Sequence, residues 1–349
     1  MKRTKMKRTK RVLGLALAAV MCMGMLANSD TAYAASGTET SEKVLNIATI
    51  GETTTLSPLY MIADNRPTQK LLYEGLVKYV DGEIQPVLAE DWEMSEDGKQ
   101  LTFYLRQGVT FHDGEPFNAE AAIANIEAWH INPSFTALPG VVNYTNIEAV
   151  DEYTIRLTYD TPYFAYINDF CWPDVCTMIS PKQITQGDFQ TVNGYAGTGP
   201  YIYDEYVAGQ YTTFVRNENY WDEQPYYDKI VAKYIPDNAS RVQALKTGEI
   251  DLIYGSAELS YEDYNQATAI DGIEGKFAPS GSTVRNIILN FNGNLSDLSV
   301  RQALAYAIDK EAISEGLTYG YEPVANTIVP DGTPYSCLLY TSPSPRDTR

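Results

Sequence analysis

The sequence predicts an α/β fold with a parallel sheet, and four successive segments indicate it. Residues 201–206 and 211–216 are strand-like and joined by a short turn, which predicts a β-hairpin. Residues 229–235 alternate polar and apolar side chains, as a half-buried strand does. Residues 250–254 form a further strand-like run. A helix between these last two runs would make them parallel strands of one sheet, because such crossovers join parallel strands.

The connecting helix carries its own start and stop signals. Asn238 is placed at the N-cap, where its side chain would accept a hydrogen bond from a free backbone N–H. Val242 and Leu245 mark an apolar face, and Gly248 is expected to end the helix. These signals support the strand–helix–strand assignment.

The first half of the chain is predicted to continue this alternation. Asn118 is placed as a second N-cap, and Glu120 in the following turn favours that assignment. His112 and Gly114 belong to a predicted turn. The predicted elements are a strand at 44–50, a helix at 67–79, a strand at 101–105 and a helix at 119–130.

The N-terminal segment predicts export. Residues 1–34 have the features of a secretory signal, namely a basic start, an apolar run and a final Ala-Tyr-Ala cleavage site. Residues 35–43 are interpreted as a flexible leader. A lipid anchor at Cys22 is not expected, because Met21 stands where a small residue is needed. The protein is therefore expected in the periplasm or on the outer face of the cell membrane.

The C-terminal segment is interpreted as foreign to the protein. Residues 337–347 are the translation of a standard transposase-based sequencing adapter, so residues 337–349 are assigned to adapter read-through. The gene would then be interrupted near Tyr335. The alternative is a Ser/Pro-rich disordered tail. No function is expected there in either case.

Composition excludes some partners and leaves one covalent question open. The formal net charge of −19 repels nucleic acid and anionic lipid, so neither is an expected partner. Between the two terminal segments the cysteines are Cys171 and Cys176. Export permits a disulfide between them, but the bridge would need a turn at Pro173 and Asp174. A disulfide and two free thiols are equally compatible with the sequence.

The sequence offers little for covalent chemistry. The chain has two histidines and lacks a G-x-S-x-G or clustered metal-ligand pattern. No catalytic residue, metal ligand or cofactor is predicted, and the protein is not expected to be an enzyme. His112 is expected to hydrogen-bond within its own turn, and His130 to be the exposed end of a helix.

Three linked motifs resemble one known family. They are GTGPY at 197–201, RNENYW at 216–221 and GEIDL at 248–252. In this order they resemble the extracytoplasmic solute-binding proteins of family 5, which serve peptide and nickel ABC importers. Residues 88–122 and 289–313 are similar to the same family. Within it, the motifs are most similar to the nickel-chelate-binding branch.

The resemblance implies a two-lobed periplasmic-binding-protein fold, class II, of the three-domain peptide/nickel type, with an incomplete second lobe. Residues 44–61 and 176–278 would form the main domain of the first lobe. Residues 62–175 would form a small inserted domain, and residues 279–336 would begin the second lobe. The chain would then hold one wall of a two-walled cleft and is expected to bind solute weakly.

One helix of the second lobe is predicted in detail. Ser299 and Gln302 are interpreted as a capping box. A buried apolar stripe is predicted at Val300, Leu304, Ala307 and Ile308. Arg301 is interpreted as a solvated position without a ligand role.

The resemblance implies a solute receptor of an ABC importer, expected to be monomeric, that delivers a peptide or a nickel chelate to a membrane permease. Nickel would enter only as part of the transported chelate. The alternative is a sensory or adhesive surface protein on the same fold, because a fold does not fix a function.

The candidate site comes from a general rule on sheets. Ligands of open α/β sheets bind beyond the carboxyl ends of the strands. This rule nominates the loop that ends at Tyr60, after the first strand, and Tyr254 with Gly255, after the last.

The resemblance nominates further positions. The family's arginine positions would be occupied by Phe135 and Asp174, a tryptophan position by Leu138 and a methionine position by Arg66. A carboxylate at Asp174 would suit the ammonium group of a peptide N-terminus, and the alternative is an ordinary turn residue. Trp172 would either stack on a ligand or pack between the lobes.

Overall fold

The computed structural model describes most of the chain between residues 42 and 325. The described ranges are 42–60, 66–80, 82–172, 175–185, 187–255, 259–277 and 284–325. For Arg66 the backbone alone is described. The predicted secretory signal, residues 35–41 of the predicted leader and the predicted adapter-derived tail lie outside these ranges.

The end of the predicted leader is fixed in place. The backbone N–H of Lys43 donates to the Asp228 carboxylate at 2.7 Å, and its carbonyl accepts from the Asp228 N–H at 2.8 Å. Its ammonium group lies 3.9 Å from the centre of the Tyr226 ring. The predicted flexibility therefore does not extend to Lys43.

The described strands form three sheets. Their bounds are β1 (Val44–Thr49), β2 (Val77–Val80), β3 (Glu83–Pro86), β4 (Ala89–Met94), β5 (Gln100–Leu105), β6 (Tyr144–Asp151), β7 (Thr154–Tyr159), β8 (Tyr201–Val207), β9 (Tyr211–Arg216), β10 (Lys229–Tyr234) and β11 (Leu252–Ile253). One sheet has five strands in the order β11-β1-β10-β9-β8. A second pairs β2 with β3, and the third has the order β4-β5-β7-β6.

The five-stranded sheet confirms the predicted crossover. Strand β1 is parallel to both of its neighbours, β10 and β11, while β8, β9 and β10 run antiparallel to one another in turn. The predicted hairpin is β8 and β9. The helix after β10 carries the chain past β1, so that β11 pairs on the far side of β1. The three parallel strands therefore end at the same edge.

Eight α-helices lie in the described part of the chain. They are α1 (Arg66–Leu72), α2 (Ala119–His130), α3 (Pro139–Val142), α4 (Tyr166–Phe170), α5 (Asn238–Lys246), α6 (Tyr261–Thr268), α7 (Leu298–Ala307) and α8 (Lys310–Thr318). Helix α2 has the predicted bounds, and the Asn118 side chain accepts from the Ala121 N–H at 3.0 Å. The N-cap of α5 is Asp237 instead of Asn238, because the Asp237 carboxylate accepts from the Ser240 N–H at 2.8 Å.

The helix predicted at 67–79 is much shorter. Helix α1 ends at Leu72, and residues 77–80 form strand β2. Between them Gly75 forms an isolated antiparallel bridge with Thr177, so close that a Cβ on Gly75 would lie 2.7 Å from the Cys176 carbonyl. This tertiary pairing overrides the local sequence preference for a continuous helix.

Two hydrophobic clusters build most of the core. The larger one includes Phe103 of β5, Trp129 of α2 and Phe170 of α4. The second joins Phe214 of β9 and Leu72 of α1, among others. Strands β2–β7 thus pair separately from β1 and β8–β11, while the predicted domain boundaries themselves stay predictions.

The helix at 298–307 differs from its prediction. The N-cap of α7 is Asp297, whose carboxylate accepts from the Ser299 N–H at 2.8 Å, so Ser299 does not start a capping box. The predicted apolar stripe is not buried, since Val300 and Leu304 are each 39% exposed. The described residues do not cover this face. Arg301 donates to the carbonyls of its own N-terminal turn.

Residues 197–201 form the GTGPY segment. Its backbone lies in direct contact with the backbone at the end of α1. The Gly199 N–H donates to the Leu72 carbonyl at 2.9 Å. A Cβ on Gly197 would lie 1.9 Å from that same oxygen, and one on Gly199 would lie 2.7 Å from the Leu71 carbonyl. Glycine is therefore required here for space. Strand β8 begins at Tyr201, the last residue of this segment.

Replacing Gly197 by alanine is expected to destabilise the protein by about 3 kcal/mol or more, because no side-chain rotation relieves an overlap with backbone atoms. Gly316→Ala is the matched control. No atom lies within 4 Å of its added Cβ, and the helical site should gain up to about 1 kcal/mol. Urea unfolding followed by circular dichroism measures both changes. Equal stability of Gly197→Ala and the parent would contradict the required contact.

Candidate functional site

The candidate site begins where the parallel strands end. Ala48 pairs with Ile253, and Thr49 pairs with Tyr234. The segments that leave β1, β10 and β11 therefore start side by side. We call this the carboxyl edge, and open α/β sheets bind their ligands at such edges.

The loop after β1 is fixed to the rest of the protein. The Thr55 hydroxyl donates to the Gln190 carbonyl at 2.9 Å, and the Ser57 hydroxyl donates to the Phe189 carbonyl at 2.7 Å. The side-chain amide of Gln69 donates to the Ser57 carbonyl at 2.9 Å. These bonds hold the loop in one shape, so any ligand contact from it is pre-organised.

Tyr60, Tyr254 and Gly255 lie where the strand rule placed them. Tyr60 ends the loop after β1 and is 36% exposed. Tyr254 directly follows β11 and is 51% exposed, and Gly255 has a φ of 149°. An exposed tyrosine offers apolar area with one polar tip, which suits a binding surface. Tyr254 thus gives the carboxyl edge an accessible ring, and Tyr60 is an exposed ring at the far end of the loop that leaves β1.

Trp172, Asp174 and Arg66 are the other predicted ligand positions, and the structure describes the side chain of Trp172 alone. Trp172 follows the C-cap of α4 and is 42% exposed. Among the described residues no hydrogen bond or ring contact joins Trp172 to Tyr60 or Tyr254. Asp174 and the side chain of Arg66 lie outside the described residues, so their assigned ligand roles stay predictions.

The two positions aligned with a family arginine and tryptophan are core positions in this fold. Phe135 is fully buried and stacks on Trp129, with ring centres 6.0 Å apart. Leu138 is 5% exposed and belongs to the same hydrophobic cluster. Neither side chain faces a cleft. The short turn at Pro133–Phe135 points this segment into the core.

The disulfide alternative for Cys171 and Cys176 is not realised, because both are free thiols. The Cys171 thiol donates to the Ile167 carbonyl and the Cys176 thiol to the Asp169 carbonyl. Each sulfur is thereby aimed at a different carbonyl of α4. Burial raises the pKa of Cys171 to about 11 and that of Cys176 further, so neither is a reactive thiolate.

His112 does not bond within its own turn as predicted. Its Nε2 lies 2.9 Å from the Gly199 carbonyl, and its Nδ1 accepts from the Gly197 N–H at 3.2 Å. Gly197 lies 85 residues after His112 in the sequence. No local pattern could have indicated this contact. The other histidine, His130, is exposed at the end of α2 as predicted.

Glu74 joins two of the recognised motifs, and the sequence reasoning missed it. Its carboxylate accepts from the Thr198 hydroxyl at 2.9 Å, the Tyr220 hydroxyl at 2.7 Å and the Trp221 indole N–H at 2.7 Å. Burial raises its pKa above the ordinary value, although the three hydrogen bonds act to lower it. A charged residue directly before Gly75 was the available signal. The motifs are thus held together by one carboxylate.

Within the described ranges the protein has neither a cluster of metal ligands nor a membrane-spanning helix. No group of three or more His, Cys, Asp or Glu side chains there could hold a metal ion. None of the helices in that part of the chain is long and apolar enough to cross a membrane.

The chain matches a family of known proteins over residues 83–347. That family is described as "Bacterial extracellular solute-binding proteins, family 5 Middle". The nickel-binding periplasmic protein of Escherichia coli K12 is 35% identical over 289 residues, covering 81% of this chain and 55% of that protein. The glutathione-binding protein GsiB of Pectobacterium atrosepticum is 32% identical over 309 residues, covering 85% and 58%.

A solved structure agrees with the fold. NikA from Brucella suis, solved with Fe(III)-EDTA, has a TM-score of 0.77 and 33% identity, covering 84% of this chain and 60% of that one. The predicted periplasmic-binding-protein fold is confirmed by this likeness. The chain spans somewhat more than half the length of these relatives.

Glu74→Gln is expected to change how stability depends on pH. The folded protein holds the Glu74 proton more tightly than the unfolded chain does, because its pKa is raised. This contribution is complete below the ordinary value of 4.5 and declines as the pH rises through the raised value. The parent should therefore gain stability relative to Glu74→Gln on acidification from pH 7 to 4.5.

Urea unfolding at several pH values measures this difference. Glu83→Gln, an exposed position in β3, is the control and should follow the parent at each pH. A constant difference between the parent and Glu74→Gln across this range would show that Glu74 does not titrate with a raised pKa.

Proposed function

The chain belongs to the bacterial extracellular solute-binding proteins of family 5, and from this membership we propose that it is a solute receptor of an ABC importer. In this role it captures a small peptide or a metal chelate outside the membrane and delivers it to the permease. The observation that carries the proposal is the carboxyl edge, where three parallel strands end, the exposed Tyr254 follows β11 and a fixed loop leaves β1.

The arrangement of the edge supports capture of a solute. The loop after β1 is ordered by side-chain bonds to carbonyls before any ligand arrives, which reduces the entropy lost on binding. Tyr60 and Tyr254 add accessible aromatic area. Aromatic surface with a few placed polar groups is typical of small-molecule sites. A two-lobed receptor would close over such an edge.

Two solute classes follow from the relatives and from the chain's own residues. One relative is named for nickel and another for glutathione, so a metal chelate and a small peptide are both candidates. Phe135 is uncharged and buried, so this position supplies no cation for an anionic chelate. Asp174, in contrast, would supply a carboxylate for a peptide ammonium group. We therefore favour a peptide.

Export and partners belong to the same proposal. The relatives include a protein named as periplasmic. A secretory signal at residues 1–34 would bring this chain to the same side of the membrane. There the permease subunits of an importer would be its protein partners. No nucleic acid is proposed as a partner, because of the net charge of −19.

Titration with two ligand series tests the proposal. One series is di- to pentapeptides, and the other is the nickel–histidine complex. A ligand at one hundred times its Kd should raise the free energy of unfolding by about 2.7 kcal/mol. Stabilisation by peptides alone supports the favoured class, and stabilisation by the nickel complex alone overturns that choice. Because this chain is expected to bind weakly or not at all, the uninterrupted protein is titrated in the same way, and stabilisation of that protein by neither series at millimolar concentration contradicts the receptor function.

Tyr254→Ala is expected to weaken binding of the active ligand by about tenfold, because loss of a stacked ring removes about 1–1.5 kcal/mol. Tyr79→Ala is the matched control. Tyr79 is also 51% exposed but lies on the β2–β3 hairpin, away from the carboxyl edge, so its loss should leave affinity unchanged. Isothermal titration calorimetry measures both. Equal affinities of the two variants would remove Tyr254 from the site.

A further inference from the structure

His112 clamps the GTGPY segment with three hydrogen bonds. Its backbone N–H donates to the Gly197 carbonyl at 2.8 Å. Its ring uses both nitrogens, with Nδ1 facing the Gly197 N–H and Nε2 facing the Gly199 carbonyl. One side chain thus satisfies a donor and an acceptor of the same segment.

These partners select one form of the imidazole. The Gly197 N–H can only donate, so Nδ1 must carry the lone pair. The Gly199 carbonyl can only accept, so Nε2 must carry the proton. The ring is therefore neutral with its proton on Nε2. A proton added to Nδ1 would face the Gly197 N–H and break that hydrogen bond.

The surroundings of the His112 ring favour its neutral form. Burial lowers the pKa of His112, and it outweighs the Gly199 carbonyl, the Tyr195 carbonyl and the Asp113 carboxylate, which act to raise it. Further charged or titratable groups near this contact are Tyr73 and Glu74 at the end of α1 and the Lys182–Glu115 ion pair. The Lys182 ammonium group is paired with the Glu115 carboxylate.

The clamp joins the two parts of the core. His112 follows Phe111, which belongs to the larger hydrophobic cluster with the four-stranded sheet. The GTGPY segment ends at Tyr201, which belongs to the cluster of the five-stranded sheet. Loosening of this contact would remove one of the links between these two parts, another being the two hydrogen bonds between Asn125 of α2 and Ile179.

We propose that His112 is a pH-sensitive latch, which holds the GTGPY segment while its ring is neutral and releases it when the ring is protonated. Because the folded protein disfavours the proton, the latch stabilises the fold above the ordinary histidine value of 6.5. This stabilisation is lost as the pH falls through the lowered value. The latch acts on the scaffold and does not depend on which solute is bound.

Nuclear magnetic resonance of the full chain tests the ring directly. The chain has two histidines, so His130→Gln assigns both signals. Long-range proton–nitrogen spectra should show His112 with its proton on Nε2, and mostly neutral at pH 6.5, the ordinary histidine value. The Gly197 amide signal should shift with the His112 midpoint. A His112 that titrates at or above pH 6.5, or that carries its proton on Nδ1, overturns the proposal.

Matched variants test the consequence for stability. His112→Gln keeps an acceptor for the Gly197 N–H and a donor for the Gly199 carbonyl, but it does not titrate. Below pH 6.5 the unfolding constant of the parent should rise by up to about tenfold per pH unit more than that of His112→Gln. His130→Gln should follow the parent. If the stability of a folded His112→Gln changes with pH in parallel with that of the parent, the latch is overturned. If His112→Gln fails to fold, the nuclear magnetic resonance spectra of the parent decide the proposal.

Discussion

The contact between the GTGPY segment and the end of α1 is a constraint that several other features share. Gly197 and Gly199 lie where any Cβ would overlap the carbonyls of Leu71 or Leu72. This approach fixes where α1 stops and where β8 starts, and therefore where the chain enters each sheet. Because the overlap is between backbone atoms, no change of side-chain conformation substitutes for glycine at these positions.

Two titratable side chains secure this contact, and they differ in the charge state that folding favours. Glu74 bonds to Thr198, and burial favours its protonated form. His112 bonds to Gly197 and Gly199, and burial favours its deprotonated form. Both preferences are for the neutral species, as expected where a group loses water. Acidification therefore removes the cost of burying a charge at Glu74 while it imposes such a cost at His112, so the two effects on stability oppose each other.

The sequence predicted those elements whose signals are local. Helix α2 has the predicted bounds because Asn118 caps it with its own side chain. The hairpin of β8 and β9 likewise depends on alternation and a short turn. The helix predicted at 67–79 was wrong because the Gly75–Thr177 bridge, which ends it, joins residues far apart in sequence. Local periodicity contains no information about such a partner.

The same distinction applies to the candidate site. Tyr60 and Tyr254 were nominated because the ends of parallel strands can be located from the strand pattern alone, and their ligand roles stay predictions. The burial of Phe135 could not be predicted, because alignment identifies a position but not its burial, and this side chain packs on Trp129 in the core. Glu74 was missed, and His112 was wrongly expected to bond within its own turn, because the partners of both residues lie in motifs distant in sequence.

The recognised motifs serve the scaffold more than the ligand. The bonds from GTGPY and RNENYW lead to Glu74, His112 and α1, all within the fold. Tyr254 and Trp172, in contrast, are exposed and are not needed to satisfy buried groups. Exposed positions can change without loss of stability, since surface substitutions usually alter it by less than about 0.5 kcal/mol. A family can therefore keep its motifs while its members, such as the relatives named for nickel and for glutathione, take different solutes.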